Sequence, residues 1–107
     1  MADCVFCKIA AGEFDTEMLF ENDELVAFND INPKAPVHIL FVPKKHIRSI
    51  NDLEEVDRGL IAEMMFTAKA IAKKFNIDKS GYKLFFHVEK GGGQEVFHLH
   101  LHLLGGW

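Results

Sequence analysis

The sequence predicts an α+β fold: about five strands in a mostly antiparallel sheet, one long helix, and a short helix near the N-terminus. Three observations predict it. Apolar or alternating runs of strand length fall at 18–21, 25–29, 37–42, 82–89 and 96–104. One stretch, opening at Asn51 or Asp52, keeps helical spacing long enough to cover a sheet. Strands and helices do not alternate regularly, as a parallel sheet would require. At 107 residues the chain can bury one core and is read as a single domain, 1–107.

Each element has a local reason. Asp3 can cap a short helix over 5–11, which Gly12 stops. Asn22-Asp23-Glu24 makes a hairpin turn between the first two strands. Pro33 and Pro36 mark an ordered loop over 30–36. The run 37–42 is apolar except for His38, the pattern of a strand buried on both faces, and Pro43 ends it. Asp52, three residues before Glu55, resembles a capping box for the long helix. Val56, Leu60, Met64, Ala68, Ile71 and Phe75 then form its sheet-facing stripe. Gly91-Gly92-Gly93 turns the chain into the last strand.

Composition narrows the function. Apolar residues are 49% of the chain, with ten Phe, enough to fold. A net charge of -4 argues against a nucleic-acid polymer or an anionic membrane as partner. No apolar stretch approaches the roughly 20 residues of a membrane span and the first residues lack a basic n-region, so neither a span nor a signal peptide is expected. With one Cys4-x-x-Cys7 pair and no other cysteine, a cytoplasmic setting with reduced thiols is expected.

The chemistry concentrates at His98-Leu99-His100-Leu101-His102-Leu103-Leu104. On a strand, alternate residues share a face, so the three imidazoles point one way and the leucines the other. His98 and His102 would lie about 13 Å apart at ~3.3 Å per residue. One metal ion with bonds of roughly 2 Å cannot span that. The row is therefore a line of separate imidazole tasks. A purely structural row would be costly, because each buried imidazole needs partners for two nitrogens. The glycine turn just upstream is expected to offer backbone N–H groups to anionic oxygens, which beside an imidazole nucleophile suits phosphoryl or nucleotidyl transfer. Cys4-x-x-Cys7 reads as half a zinc site, as a redox pair, or as two inert thiols.

The histidine row resembles the signature of the histidine-triad superfamily, three histidines alternating with apolar residues. The resemblance extends over Phe28-Asn29-Asp30-Ile31-Asn32-Pro33, Ala35-Pro36-Val37-His38, Val42-Pro43-Lys44-Lys45-His46-Ile47, and Gly92-Gly93-Gln94 through Gly105-Gly106. It is nearest to the Hint-like, protein kinase C inhibitor-like branch, and within it to bacterial-type members. That implies a histidine-triad fold and hydrolysis of nucleoside 5′-phosphoramidates. His100 would attack phosphorus, His102 would contact the phosphate and leaving-group side, and His38 would orient His100 through a hydrogen-bonded chain. Asp30 would hold the ribose hydroxyls, with Phe28 and Ile31 flanking the base. His87, Gly93, Gln94, Glu95 and His102 would lie near the phosphate.

Two positions depart from the family pattern. His87 stands where such proteins often carry Asn, and Glu95 where animal members carry Ser. A carboxylate facing a phosphate would repel it, so Glu95 must turn away or be protonated, or the leaving-group chemistry must differ. The resemblance also implies one structural zinc per chain on Cys4, Cys7, His46 and His98, with no metal needed for catalysis. The expected partners are a purine nucleotide or nucleoside phosphoramidate and a second copy in a homodimer. The alternatives are a dinucleoside polyphosphate hydrolase and a non-catalytic nucleotide-binding or scaffold dimer.

Overall fold

The computed structural model describes residues 4–107. Its centre is a five-stranded sheet in the order β1-β2-β3-β5-β4, antiparallel at every pairing. The strands are β1 (Phe20–Glu21), β2 (Leu25–Asn29), β3 (Val37–Pro43), β4 (Tyr82–Phe85) and β5 (Leu101–Gly105). The helices are α1 (Val5–Ala10) and α2 (Arg58–Lys74). The α+β architecture expected from the sequence is therefore present.

The sheet has two covered faces, and period-2 alternation sorts residues between them. Leu25, Ala27, Ile39, Phe41, Leu101 and Leu103 pack with Leu60, Met64, Ala68 and Ile71 of α2. Val26, Phe28, Leu40 and Val42 pack on the other face with Phe6 of α1. His102 lies opposite Leu40 of β3 and Phe85 of β4, so it belongs to the α1 face. The long helix thus supplies the large core, and the short helix overlies the chemistry.

Several boundaries differ from expectation. Asp3 lies outside the described residues; the N-cap of α1 is Cys4, whose sulfur accepts from the Cys7 N–H. The long helix begins at Arg58, after two single 3-10 turns at Ile50–Asp52 and Glu55–Asp57. Ser49, not Asp52, caps the first turn. The capping box sits at Glu54 and Asp57, where the Glu54 N–H donates to the Asp57 carboxylate at 2.9 Å. Val56 therefore precedes α2 and is 79% exposed, while Thr67 and Ala72 join the buried stripe. β1 is only two residues long, and β4 stops at Phe85 instead of 89.

The last strand starts at Leu101, not Val96. The reason lies in its neighbour. β3 ends at Pro43, which has no N–H for a ladder. The Pro43 carbonyl accepts instead from the ring of His98, at 2.8 Å, and the Leu99 N–H goes to Ile47 O, at 2.7 Å. His98 and His100 consequently precede the ladder, and only His102 of the row sits within it.

Candidate active site and metal centre

The histidines divide into two groups. His98, buried completely, joins Cys4, Cys7 and His46. The Cys4 sulfur is 3.2 Å from His98 Nδ1, the Cys7 sulfur 3.2 Å from His46 Nδ1, and the two Nδ1 atoms 3.2 Å apart. A tetrahedral ion with bonds of about 2.0 Å to nitrogen and 2.3 Å to sulfur sets edges of roughly 3.3 Å (N–N) and 3.5 Å (N–S). Four of the six donor–donor distances, at 3.2–3.5 Å, match those edges, and all four donor atoms lie within 4.8 Å of one another.

Protonation agrees with that fit. A carbonyl can only accept, so His98 Nε2 carries the proton donated to Pro43 O. The Nδ1 lone pair is then free and faces the sulfurs. Burial pushes the Cys7 thiol up to about 11, with Cys4 adding to the shift, so a thiolate here requires a cation beside it. Burial likewise pushes His98 down to about 4, partly offset by the Pro43 hydrogen bond. This donor set fits a closed, four-ligand metal centre.

The second group is a relay. The Lys34 backbone N–H donates to His38 Nδ1 at 3.0 Å, so the His38 proton sits on Nε2. Nε2 lies 3.0 Å from His102 Nδ1 and 3.4 Å from an Asp30 oxygen. His102 Nδ1 accepts, which leaves its proton on Nε2. That Nε2 is the one buried side-chain polar atom without a partner among the described residues. An orphaned buried donor costs roughly 1–3 kcal/mol, and it is the kind of group a ligand oxygen satisfies.

His100 has the opposite tautomer. Its Nδ1 lies 2.7 Å from the His98 carbonyl, so Nδ1 carries the proton and Nε2 keeps a lone pair. Phe6 meets the ring edge-on at 4.9 Å between centroids, and His102 lies 4.9 Å away on the other side. Burial is the main reason that His100, His38 and His102 all titrate below the ordinary histidine value; for His102 it brings the value to about 3, with neighbouring histidines adding. A neutral imidazole with a free Nε2 thus stands beside an unsatisfied N–H donor.

The remaining candidates sort as follows. Phe28 is buried core, packed against Phe6 at 5.7 Å. Ile31 is 90% exposed, so core packing does not explain it. Asp30 caps its own turn by accepting from the Asn32 N–H at 2.8 Å, and its other oxygen faces His38. Glu95 is exposed. Half-buried His87 lies over His102 at 5.0 Å, and Phe85 stacks on both rings.

The glycine turn departs from the expected oxyanion cradle. The N–H groups of Gly92, Gly93 and Gln94 all turn inward, to Glu89 O, Lys90 O and Glu89 O. Gly93, at φ 89°, lets the chain pass under His87, whose ring would be 3.5 Å from an added Cβ. The Gln94 side chain accepts from the Glu89 N–H and donates to Arg48 O and Val96 O. Gln94 therefore holds the loop's shape and has no free donor for phosphate. Phe6, the Lys34 N–H and the Pro43 carbonyl were missed in the sequence. Only Phe6 left a signal there, as an aromatic residue between the two cysteines.

Fold and site together define an α+β protein whose histidine row runs into the terminal strand, beside a separate cluster of donors able to hold a metal. The comparisons place it further. A family model described as "Scavenger mRNA decapping enzyme C-term binding" matches residues 3–106. An uncharacterised HIT-like protein of Buchnera aphidicola is 44% identical over 106 residues, 99% of this chain and 95% of the relative. The purine nucleoside phosphoramidase of Escherichia coli K12 is 38% identical over 104 residues, 97% and 87% of the two chains. The crystal structure of a HIT family hydrolase from Legionella pneumophila superposes with a TM-score of 0.96 at 50% identity, covering 98% and 94% of the two chains. The chain belongs to the histidine-triad (HIT) family.

Proposed function

We propose that the protein is a nucleotide hydrolase that cleaves nucleoside 5′-phosphoramidates to a nucleoside monophosphate and an amine, through a covalent nucleotidyl-His100. The observation that carries this reading is the pairing of tautomers: a free Nε2 lone pair on His100 beside the orphaned Nε2–H of His102. The first can attack phosphorus, and the second can hydrogen-bond an oxygen as it gains charge. His38 keeps His102 in the donating tautomer. Phe28, Asp30 and exposed Ile31 would receive the nucleoside. The phosphoramidase activity named for the Escherichia coli relative supports the substrate class.

One structural zinc per chain on Cys4, Cys7, His46 and His98 is part of this proposal, supported by the tetrahedral edges above. With four protein ligands it leaves no open position for substrate, so it would hold α1 to the sheet and take no part in the reaction. A homodimer, supported by the unpaired outer edge of β4, and a cytoplasmic location complete the reading. For the location, the structure contributes only that among the described residues no helix is long and apolar enough to cross a membrane.

The test is AMP release from adenosine 5′-monophosphoramidate. Wild type should turn over with EDTA present, and His100→Ala should lose at least about 10³-fold in kcat. No turnover by wild type, or undiminished turnover by His100→Ala, rejects the mechanism. Faster cleavage of a dinucleoside polyphosphate would favour the sister activity.

A further inference from the structure

We propose that His87 is the acid that protonates the leaving amine. The proposal rests on the nucleotidyl-transfer reading above and assigns it a proton source. A P–N bond breaks slowly unless its nitrogen gains a proton, because an amide anion is a very poor leaving group. The relay is poorly suited to supply that proton. His102 offers an N–H from a neutral imidazole, fixed as such by His38 and the Lys34 N–H. Giving up that proton would leave an anionic imidazolate buried in the relay, whereas an imidazolium that gives one up is left neutral. His100 must present its lone pair to phosphorus.

Of the four imidazoles gathered here, His38, His100 and His102 are buried and hydrogen-bonded, whereas His87 is half-buried. Among the described residues no protein group hydrogen-bonds its ring, so water can protonate it and a substrate can take the proton. Its position is set from two sides. Phe85 stacks under it at 5.0 Å, and Gly93 passes against its Nδ1 side. Its ring centre lies 5.0 Å from that of His102, whose free N–H marks the phosphate.

The charged neighbours permit this role. A proton on His87 disfavours one on His102. Asp30, across the site, draws protons toward His38 and His102. The Glu89 carboxylate is taken by Arg48 and Ser49. Lys90 and Glu95 are exposed to solvent.

The step balances. The His100 Nε2 pair forms the P–N bond to the enzyme. The scissile P–N pair goes to the leaving nitrogen, which takes the proton from the His87 imidazolium and departs as free amine. In the second step neutral His87 takes a proton from water as its oxygen attacks phosphorus, and the pair of the breaking bond returns to His100.

The experiment compares two leaving groups in single turnovers of His87→Asn and wild type. One substrate is an N-alkyl phosphoramidate of adenosine 5′-monophosphate, whose amine must be protonated. The other is adenosine 5′-phosphorofluoridate, whose fluoride leaves without a proton. Formation of nucleotidyl-His100 from the amine substrate should slow by about 10²–10⁴-fold. From the fluoridate it should slow by less than about tenfold, giving a burst of one fluoride per site before slow hydrolysis. Equal slowing on both substrates, or none on either, overturns the proposal and returns His87 to a binding or packing role. His100→Ala separates the two claims: if it forms product at the wild-type rate, the nucleotidyl-His100 reading itself fails.

Discussion

His98 and His102 are the same residue type four positions apart, yet their surroundings give them opposite uses. The His98 ring proton is tied to the Pro43 carbonyl, so its lone pair converges with those of Cys4, Cys7 and His46. The His102 lone pair is tied to His38, so its proton is presented outward. The task of a histidine is set by the partner of its other nitrogen. Convergent lone pairs make a cation site; a head-to-tail chain of donors and acceptors makes a fixed hydrogen-bond donor.

The largest expected effect lies at the convergent end. Cys4→Ser should bind less than one equivalent of zinc and lose several kcal/mol of stability. At about 4–8 °C per kcal/mol for a domain near this size, Tm should fall by more than about 15 °C. Metal content by mass spectrometry and calorimetry checks this. Zinc content equal to wild type would remove the metal centre from the comparison.

The relay should respond differently. His38→Phe keeps ring volume but deletes the donor to His102 Nδ1, so His102 is free to move its proton to that nitrogen. We expect kcat to fall by about 10²-fold, near 2.7 kcal/mol, with zinc content unchanged. His38→Asn, whose amide can still donate, should recover part of that loss. Equal rates for the two variants would mean that His38 acts through packing, and the contrast between the two ends would lose its chemical basis.

How much of this was legible beforehand follows from what local sequence encodes. Alternation and helical spacing marked β2, β3 and α2, because burial on a face imposes those periods. The boundary at Leu101 depended on a long-range event, a proline on a neighbouring strand, and the boundary at Arg58 on a capping pair shifted to Glu54 and Asp57. The His98 to His102 span argued against a single metal on the row, and the two rings fall in different clusters, although both could not be assumed to lie on one regular strand. The glycine turn misled for a specific reason. Glycine announces backbone freedom but not where the freed N–H groups go, and here they close on Glu89 and Lys90. Tautomers were invisible, since each is fixed by the partner of one ring nitrogen, and those partners are the Pro43 carbonyl for His98, the Lys34 N–H for His38, the His98 carbonyl for His100 and the His38 ring for His102.

The smallest effect is a pH dependence of stability that isolates His102. Burial first, then His100, His38 and His87, push its folded value to about 3, against roughly 6.5 in an unfolded chain. Below about pH 6.5 the unfolded chain takes up a proton that the folded protein refuses. Stability on this account is flat above that pH and falls as pH drops toward 3, by about 1.4 kcal/mol per unit for one proton. Urea unfolding of wild type and His102→Asn between about pH 5 and 8 isolates the contribution, because acid loss of metal from the cysteine cluster is common to both. The variant should be flatter by one proton on the acid side. Parallel curves would show that His102 accepts a proton in the folded state. The His38 relay would then not hold it neutral, and its N–H could transfer a proton as well as donate a hydrogen bond.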